Sequence, residues 1–224
     1  MSRCAHLAAP LAVRVLVRQD AKVVLGYHII FTAYGFWLPN DPRGSWSDFV
    51  ASWELCLHGR STKTDKKRSL AAVPHDVNKR RAAKMALSRH PVRFTGPQAQ
   101  SIGHGFRKAA LDGGYICYAC AILPDHVHLV LARHPRPIKQ IVGHLKAMAT
   151  RELAADGRHP FADKMQEERS LPTAWVRGCW KRFLGSPTEI IGAIKYVEGN
   201  PIRINLPRQY WKIVSPYCTA VRAL

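Results

Sequence analysis

Residues Tyr115 to Ala132 read YICYACAILPDHVHLVLA. Tyr115 to Leu123 is a continuous apolar run, the pattern of a central strand covered on both sides. Pro124 and Asp125 then make a tight connection, and His126 to Ala132 (HVHLVLA) forms the partner strand, so the stretch is a hairpin. In an extended chain side chains two apart share a face. His126 and His128 therefore stand side by side, while Val127, Leu129 and Leu131 point the other way.

The segments on either side complete a sheet and its cover. Val23 to Thr32 (VVLGYHIIFT) is rich in β-branched and aromatic residues and runs into the turn-prone YGFWLPNDPRGS, so it reads as a first strand and a loop. Gln98 to Leu111 places Ile102, Phe106, Ala109 and Ala110 at helical spacing, with Gly113 and Gly114 as a stop. Pro137 to Ala155 repeats the pattern with Ile138, Ile141, Leu145, Met148 and Leu153. Ala174 to Leu184 supplies a further strand. The last helix starts on a marked signal: Ser186 as N-cap, Pro187 at the first helical position and Glu189 closing a capping box. It is expected to end near Asn200 and Pro201. The order of elements predicts an α+β fold with an antiparallel sheet.

The chain has 224 residues, within reach of a single core, and 47% hydrophobic against 22% charged residues is ordinary globular usage. Charge is what departs from the average. Lys and Arg number 34 against 15 Asp and Glu, a formal net charge of +19, so a polyanion is the natural partner. No apolar run approaches the roughly 20 residues that span a bilayer, which favours nucleic acid over membrane. Six scattered cysteines do not form a disulfide framework, and a reducing cytosol is expected. Residues 1–20 read as an N-terminal arm, broken by Pro10, Arg14 and Arg18. Residues 49–91 read as a basic insertion, helical in part, within a single domain over 21–217, and 218–224 as a tail.

An H-x-H pair on a strand can converge on one metal, but two histidines on a half-buried strand are common without one. The pair gains meaning with a third group. In IKYVEGNP, Tyr196 and Asn200 are four apart on the last helix and project from one side of it. If that helix crosses the histidine strand, Asn200 completes a site of two nitrogens and one amide oxygen, with Tyr196 beside it. A phenol is a weak nucleophile at neutral pH, yet a cation that polarises a phosphodiester oxygen makes attack at phosphorus feasible.

The combination of ILPDHVHLV with the late YVEGNPIR resembles the single-tyrosine HUH transposases (U denoting a hydrophobic residue), specifically their REP-associated tyrosine transposase branch. FTAYGFWLPNDPRGSW, LKAMAT, GCWKRF and LPRQYW agree with it, so the likeness spans Val23 to Tyr217. The resemblance implies a ferredoxin-like antiparallel sheet with helices on one face, the HUH endonuclease fold. It implies a divalent metal, Mg²⁺ or Mn²⁺, held by His126 and His128 with Asn200 as the polar ligand, although zinc or cobalt would also suit such nitrogen donors. Tyr196 is the implied nucleophile, forming a 5′-phosphotyrosine on single-stranded or hairpin DNA in the bacterial cytosol, and the protein would work as a monomer or a homodimer. The position of Asn200 is a glutamine in many family members and an asparagine in this branch; the basic insertion and N-terminal arm exceed the family core.

Arg43, Lys181, Lys195 and Arg203 lie within or beside these motifs and are the expected phosphate contacts; the clusters around Lys63–Arg68 and Lys79–Arg81 could also track a backbone, and Trp37, Trp46, Trp180 and Tyr210 offer faces for bases. Cys117 and Cys120 make a C-x-x-C with no second half. Three apart on a strand, they are expected to face opposite sides as small core residues. Two other readings stay open. One is a domesticated hairpin-binding protein without mobilising activity; the other is a zinc hydrolase, for which no carboxylate stands out as general base.

Overall fold

The computed structural model describes residues 23–36, 38, 41, 53–59, 74–166 and 171–218. Four strands, β1 (Gly26–Thr32), β2 (Cys117–Ile122), β3 (His126–Ala132) and β4 (Trp180–Leu184), form one sheet in the order β2-β3-β1-β4. All three pairings are antiparallel. Among the described residues five α-helices accompany it: α1 (Trp53–Cys56), α2 (Val77–Met85), α3 (Gly96–Gly113), α4 (Ile138–Ala155) and α5 (Pro187–Arg203). The expected α+β architecture is present, and the hairpin at its centre is β2-β3.

The period-two pattern of β1 and β3 divides the molecule into two apolar layers. Ile29, Phe31, Val127, Leu129 and Leu131 point into the larger core, where they meet Ile102, Phe106, Ile141, Leu145 and Leu153 of α3 and α4. Gly105 lets these two helices close together: a Cβ there would come within 2.6 Å of the Ala149 backbone. The opposite face carries the smaller cluster of Ala119, Ala121, Val130 and Leu184 against Ile190 and Val197 of α5. Helices thus cover both faces, which corrects the expectation of one. A helix's own periodicity says that it is amphipathic, not which side of a sheet it will take.

Local signals explain where the helices begin and end. Thr95 and Gln98 form a complete capping box at the start of α3, two residues before the expected start, and Gly114 closes it in the left-handed conformation with φ 67°. Ser186 Oγ caps α5 by accepting from the Glu189 amide. The Glu189 carboxylate reaches one residue further back than a capping box requires and accepts from the Gly185 N–H at 2.7 Å. α5 does not stop at Asn200 and Pro201 but runs to Arg203. Pro201 has no N–H to donate to the Val197 carbonyl, a loss of one bond near the helix end, and the Asn200 side-chain amide donates to the Tyr196 carbonyl at 2.8 Å.

Cys117 and Cys120 are both buried in the larger core. They share a side, contrary to their spacing, because a register irregularity between Cys117 and Ala119 shifts the alternation of β2 by one residue. Within residues 49–91, α1 and α2 are helical; residues 60–73 and 1–20, Arg43, Trp37 and Trp46 lie outside the described residues. No helix among the described residues is long and apolar enough to cross a membrane.

Candidate active site

The face of the sheet beneath α5 is where polar residues replace apolar ones. Cross-strand partners point the same way, and the register pairs Thr32 with His126, Ile30 with His128 and His28 with Val130. On the next strand Trp180 lies opposite Ile30 and Arg182 opposite His28. His28, His126 and His128 therefore share one patch. The rings of His126 and His128 lie 4.8 Å apart centre to centre, and those of His28 and His128 are 5.5 Å apart and nearly parallel, at 19°.

Tyr196 closes this patch from α5. Its ring packs edge-on at 5.7 Å from His128 and 5.6 Å from His28, and the Arg203 guanidinium carbon lies over the ring, 5.0 Å from its centre. Tyr196 remains 37% exposed, whereas His128 is 3% and His28 6% exposed. A phenol at the rim and imidazoles at the floor is an arrangement that a long polymer can reach from outside.

Hydrogen bonds fix the two motif histidines at the same ring atom. His126 Nδ1 meets Asp125 Oδ1 at 2.6 Å, and His128 Nδ1 meets His28 Nε2 at 3.2 Å. Both leave Nε2 uncommitted among the described hydrogen bonds. Burial, helped by the positive Arg182 nearby, lowers the pKa of His28 to about 4. Burial also holds His128 well below the ordinary histidine range, with His126, His28 and Arg203 adding to the effect. Neutral imidazoles are what a metal site requires, since only they carry a free lone pair.

The donor set suits a divalent cation. His126 Nε2 and His128 Nε2 would be its nitrogen ligands. The Asn200 amide nitrogen is spent on the Tyr196 carbonyl, which leaves Oδ1 as the atom that could turn toward a cation. Thr32 Oγ1, on the strand position facing His126, is buried and has no hydrogen-bond partner among the described residues. A buried hydroxyl of this kind is costly unless something polar meets it. Among the described residues no group of three or more His, Cys, Asp or Glu is arranged to hold a metal; an amide oxygen such as Asn200 Oδ1 is a donor of another kind.

Of the expected phosphate contacts, Arg203 joins the patch through Tyr196. Lys195 is on α5, lining a groove of about 520 Å³ with Tyr118 and Tyr217. Lys181 pairs with Ile29 and so stands on the opposite face, its ammonium 5.6 Å from the Phe183 ring. Arg182 is the basic residue of that strand on the histidine side, bonded to Glu189 at 2.9 Å. Trp180 packs edge-on against His28, while Tyr210 is 87% exposed. His28 was not among the residues singled out from sequence. The signal was there in VVLGYHIIFT, where His28, Ile30 and Thr32 alternate onto one side, but its neighbour is set by strand register.

The buried histidines have a consequence for stability. Both have folded pKa values below that of the unfolded chain, so unfolding takes up protons in acid. Their contribution is complete above about pH 6.5; that of His28 is lost as pH falls toward 4, and that of His128 also falls in acid. For His28 alone, urea unfolding at pH 5 is expected to give a stability about 2 kcal/mol below that at pH 7.5, and His28→Phe should flatten this dependence.

No protein-family model matches the chain, and no curated protein matches it. Among solved structures, the REP-associated tyrosine transposase bound to a REP hairpin is similar at 11% identity, over 85% of this chain and 74% of that one, with a TM-score of 0.43. A candidate transposase from Deinococcus radiodurans R1 is similar at 16% identity, over 81% of this chain and 95% of that one, with a TM-score of 0.34.

Proposed function

We propose that this protein is a transposase-type enzyme that nicks and rejoins single-stranded DNA through Tyr196, with a divalent metal, Mg²⁺ or Mn²⁺, at His126, His128 and Asn200. The observation that carries this reading is the packing of the Tyr196 ring against a pair of buried, neutral imidazoles, His28 and His128, with His126 alongside. A cation bound there would polarise a non-bridging oxygen of the scissile phosphate and spread the charge that builds up at phosphorus.

The chain's own residues supply the rest. Tyr196 Oη attacks phosphorus; the new O–P bond forms as the bond from phosphorus to the 3′ oxygen breaks. The phenol proton leaves to solvent and the departing 3′ oxygen takes one up. The products are a 5′-phosphotyrosine and a free 3′ hydroxyl. Attack by a 3′ hydroxyl on that phosphotyrosine reverses the step and rejoins strands without loss of bond energy. Asp125 holds His126 in one orientation throughout. Arg203, over the Tyr196 ring, is placed to neutralise a phosphate brought up to the phenol.

A net charge of +19 supports a DNA partner, whose phosphates would draw the strand onto this surface. The zinc-hydrolase reading finds no support, because the carboxylate beside the histidines, Asp125, is tied to His126 Nδ1 rather than free to act as a base.

The test is incubation of the protein with end-labelled single-stranded and hairpin oligonucleotides, with Mn²⁺ and with chelator. A covalent protein–DNA adduct that needs the metal is expected; tight hairpin binding with no adduct under any condition would instead identify a binding protein. Arg203→Ala is expected to weaken binding to single-stranded DNA and to lower the slope of log affinity against log salt by about 0.7, one phosphate contact on a single strand. Titration by fluorescence anisotropy at three salt concentrations measures both.

A further inference from the structure

The hydrogen bond between His28 and His128 joins residues 100 positions apart, from β1 to β3. Neither ring is wet: His28 is 6% and His128 3% exposed. Two neutral imidazoles meeting nitrogen to nitrogen share one proton, and it can belong to either ring. If His28 Nε2 carries it, the His128 proton must sit on Nε2, and the lone pair that a cation needs is gone. If His128 Nδ1 carries it, His128 Nε2 is bare. His126 shows how the same problem is met elsewhere in the patch: Asp125 is an acceptor at its Nδ1, which forces the proton to that atom.

We infer that His28 is a positioning residue for the metal site, the acceptor that holds His128 in the Nδ1–H tautomer and turns its Nε2 lone pair toward the cation. This rests on the function proposed above. The near-parallel rings and the edge contact with Trp180 keep His28 Nε2 in line with His128 Nδ1. Arg182 lies opposite His28 on β4, and no carboxylate bonds to His28 among the described residues. The two metal-facing histidines would then be matched, each with an acceptor behind it, one a carboxylate and one an imidazole. Partners of this type commonly set ligand orientation and affinity.

Long-range ¹H–¹⁵N NMR on the metal-free, histidine-labelled wild-type protein reads the tautomer directly. The expected result is His128 protonated at Nδ1, with a nitrogen–nitrogen coupling to His28 across the hydrogen bond. Mn²⁺ affinity by calorimetry gives the second readout. His28→Phe keeps a flat ring but no acceptor and should bind Mn²⁺ roughly 10- to 100-fold more weakly; His28→Gln, which regains an acceptor, should recover part of the loss. A wild-type His128 protonated at Nε2 overturns the inference even if no variant folds, and so does unchanged Mn²⁺ affinity in a folded His28→Phe. If the wild type binds no Mn²⁺ while its His128 is Nδ1–H, the tautomer assignment stands and the proposed function fails instead.

Discussion

Tyr196→Phe is expected to abolish the covalent protein–DNA adduct, with a fall in strand cleavage on the order of 10⁴ or more, as when an enzyme loses its nucleophile. The change removes one oxygen and nothing else. The ring stays, and with it the edge contacts to His28 and His128 and the stacking of Arg203. The hydroxyl makes no hydrogen bond among the described residues; the bond from Asn200 goes to the Tyr196 backbone carbonyl, which the change leaves untouched. Stability and DNA affinity should therefore stay near wild type. That separation is the point of the experiment: thermal unfolding and binding unchanged, adduct gone. An adduct that survives Tyr196→Phe would move the nucleophile elsewhere.

The second large effect concerns the histidines, and the two should differ in kind. His126 is about one-fifth exposed at its side chain and its partner is the part-exposed Asp125. His126→Ala should cost metal-dependent cleavage on the order of 10² or more, with little change in folding. His128→Ala should cost cleavage as much and also stability. It removes a fully packed ring and strands His28 Nε2 inside the protein, a penalty of about 1–3 kcal/mol for the unmade bond. Cleavage rates with saturating Mn²⁺, taken together with urea unfolding at pH 7.5, separate the two. Equal loss of stability in both variants would contradict the burial difference on which this rests.

The parts of this site that could be read from sequence are those governed by strand alternation and helical spacing. HVHLVLA divides cleanly into histidines on one side and core residues on the other, and the structure keeps that division. Tyr196 and Asn200, one helical turn apart, were legible for the same reason. What was not legible depends on contacts between distant segments. His28 becomes His128's partner only once β1 and β3 pair in a particular register. The choice between Lys181 and Arg182 turns on the parity of a short edge strand whose start is not marked by the sequence; Trp180 facing the patch puts Arg182 there and sends Lys181 away. The bulge in β2 overturned the reading of Cys117 and Cys120, since a single added residue reverses every side chain beyond it. Asn200–Pro201 looked like a helix end because proline disfavours a helical residue before it, yet α5 continues for the short distance to Arg203.

The placement of α5 matters most for function. Had it joined α3 and α4 on the same face, Tyr196 would be separated from His126 and His128 by the thickness of the sheet. Its small-residue cluster with Ala119 and Ala121 brings it close on the histidine side, and alanines there leave room for the polar patch at the neighbouring rows.

The most direct measurement is mass spectrometry of the trypsin-digested complex formed by the wild-type protein with a single-stranded oligonucleotide panel and Mn²⁺. Nucleotide mass, joined through a 5′ phosphate, is expected on the peptide from Tyr196 to Arg203, together with a released fragment ending in a 3′ hydroxyl. Nucleotide on a peptide containing Tyr118, Tyr210 or Tyr217, or cleavage with no covalent adduct, would contradict it.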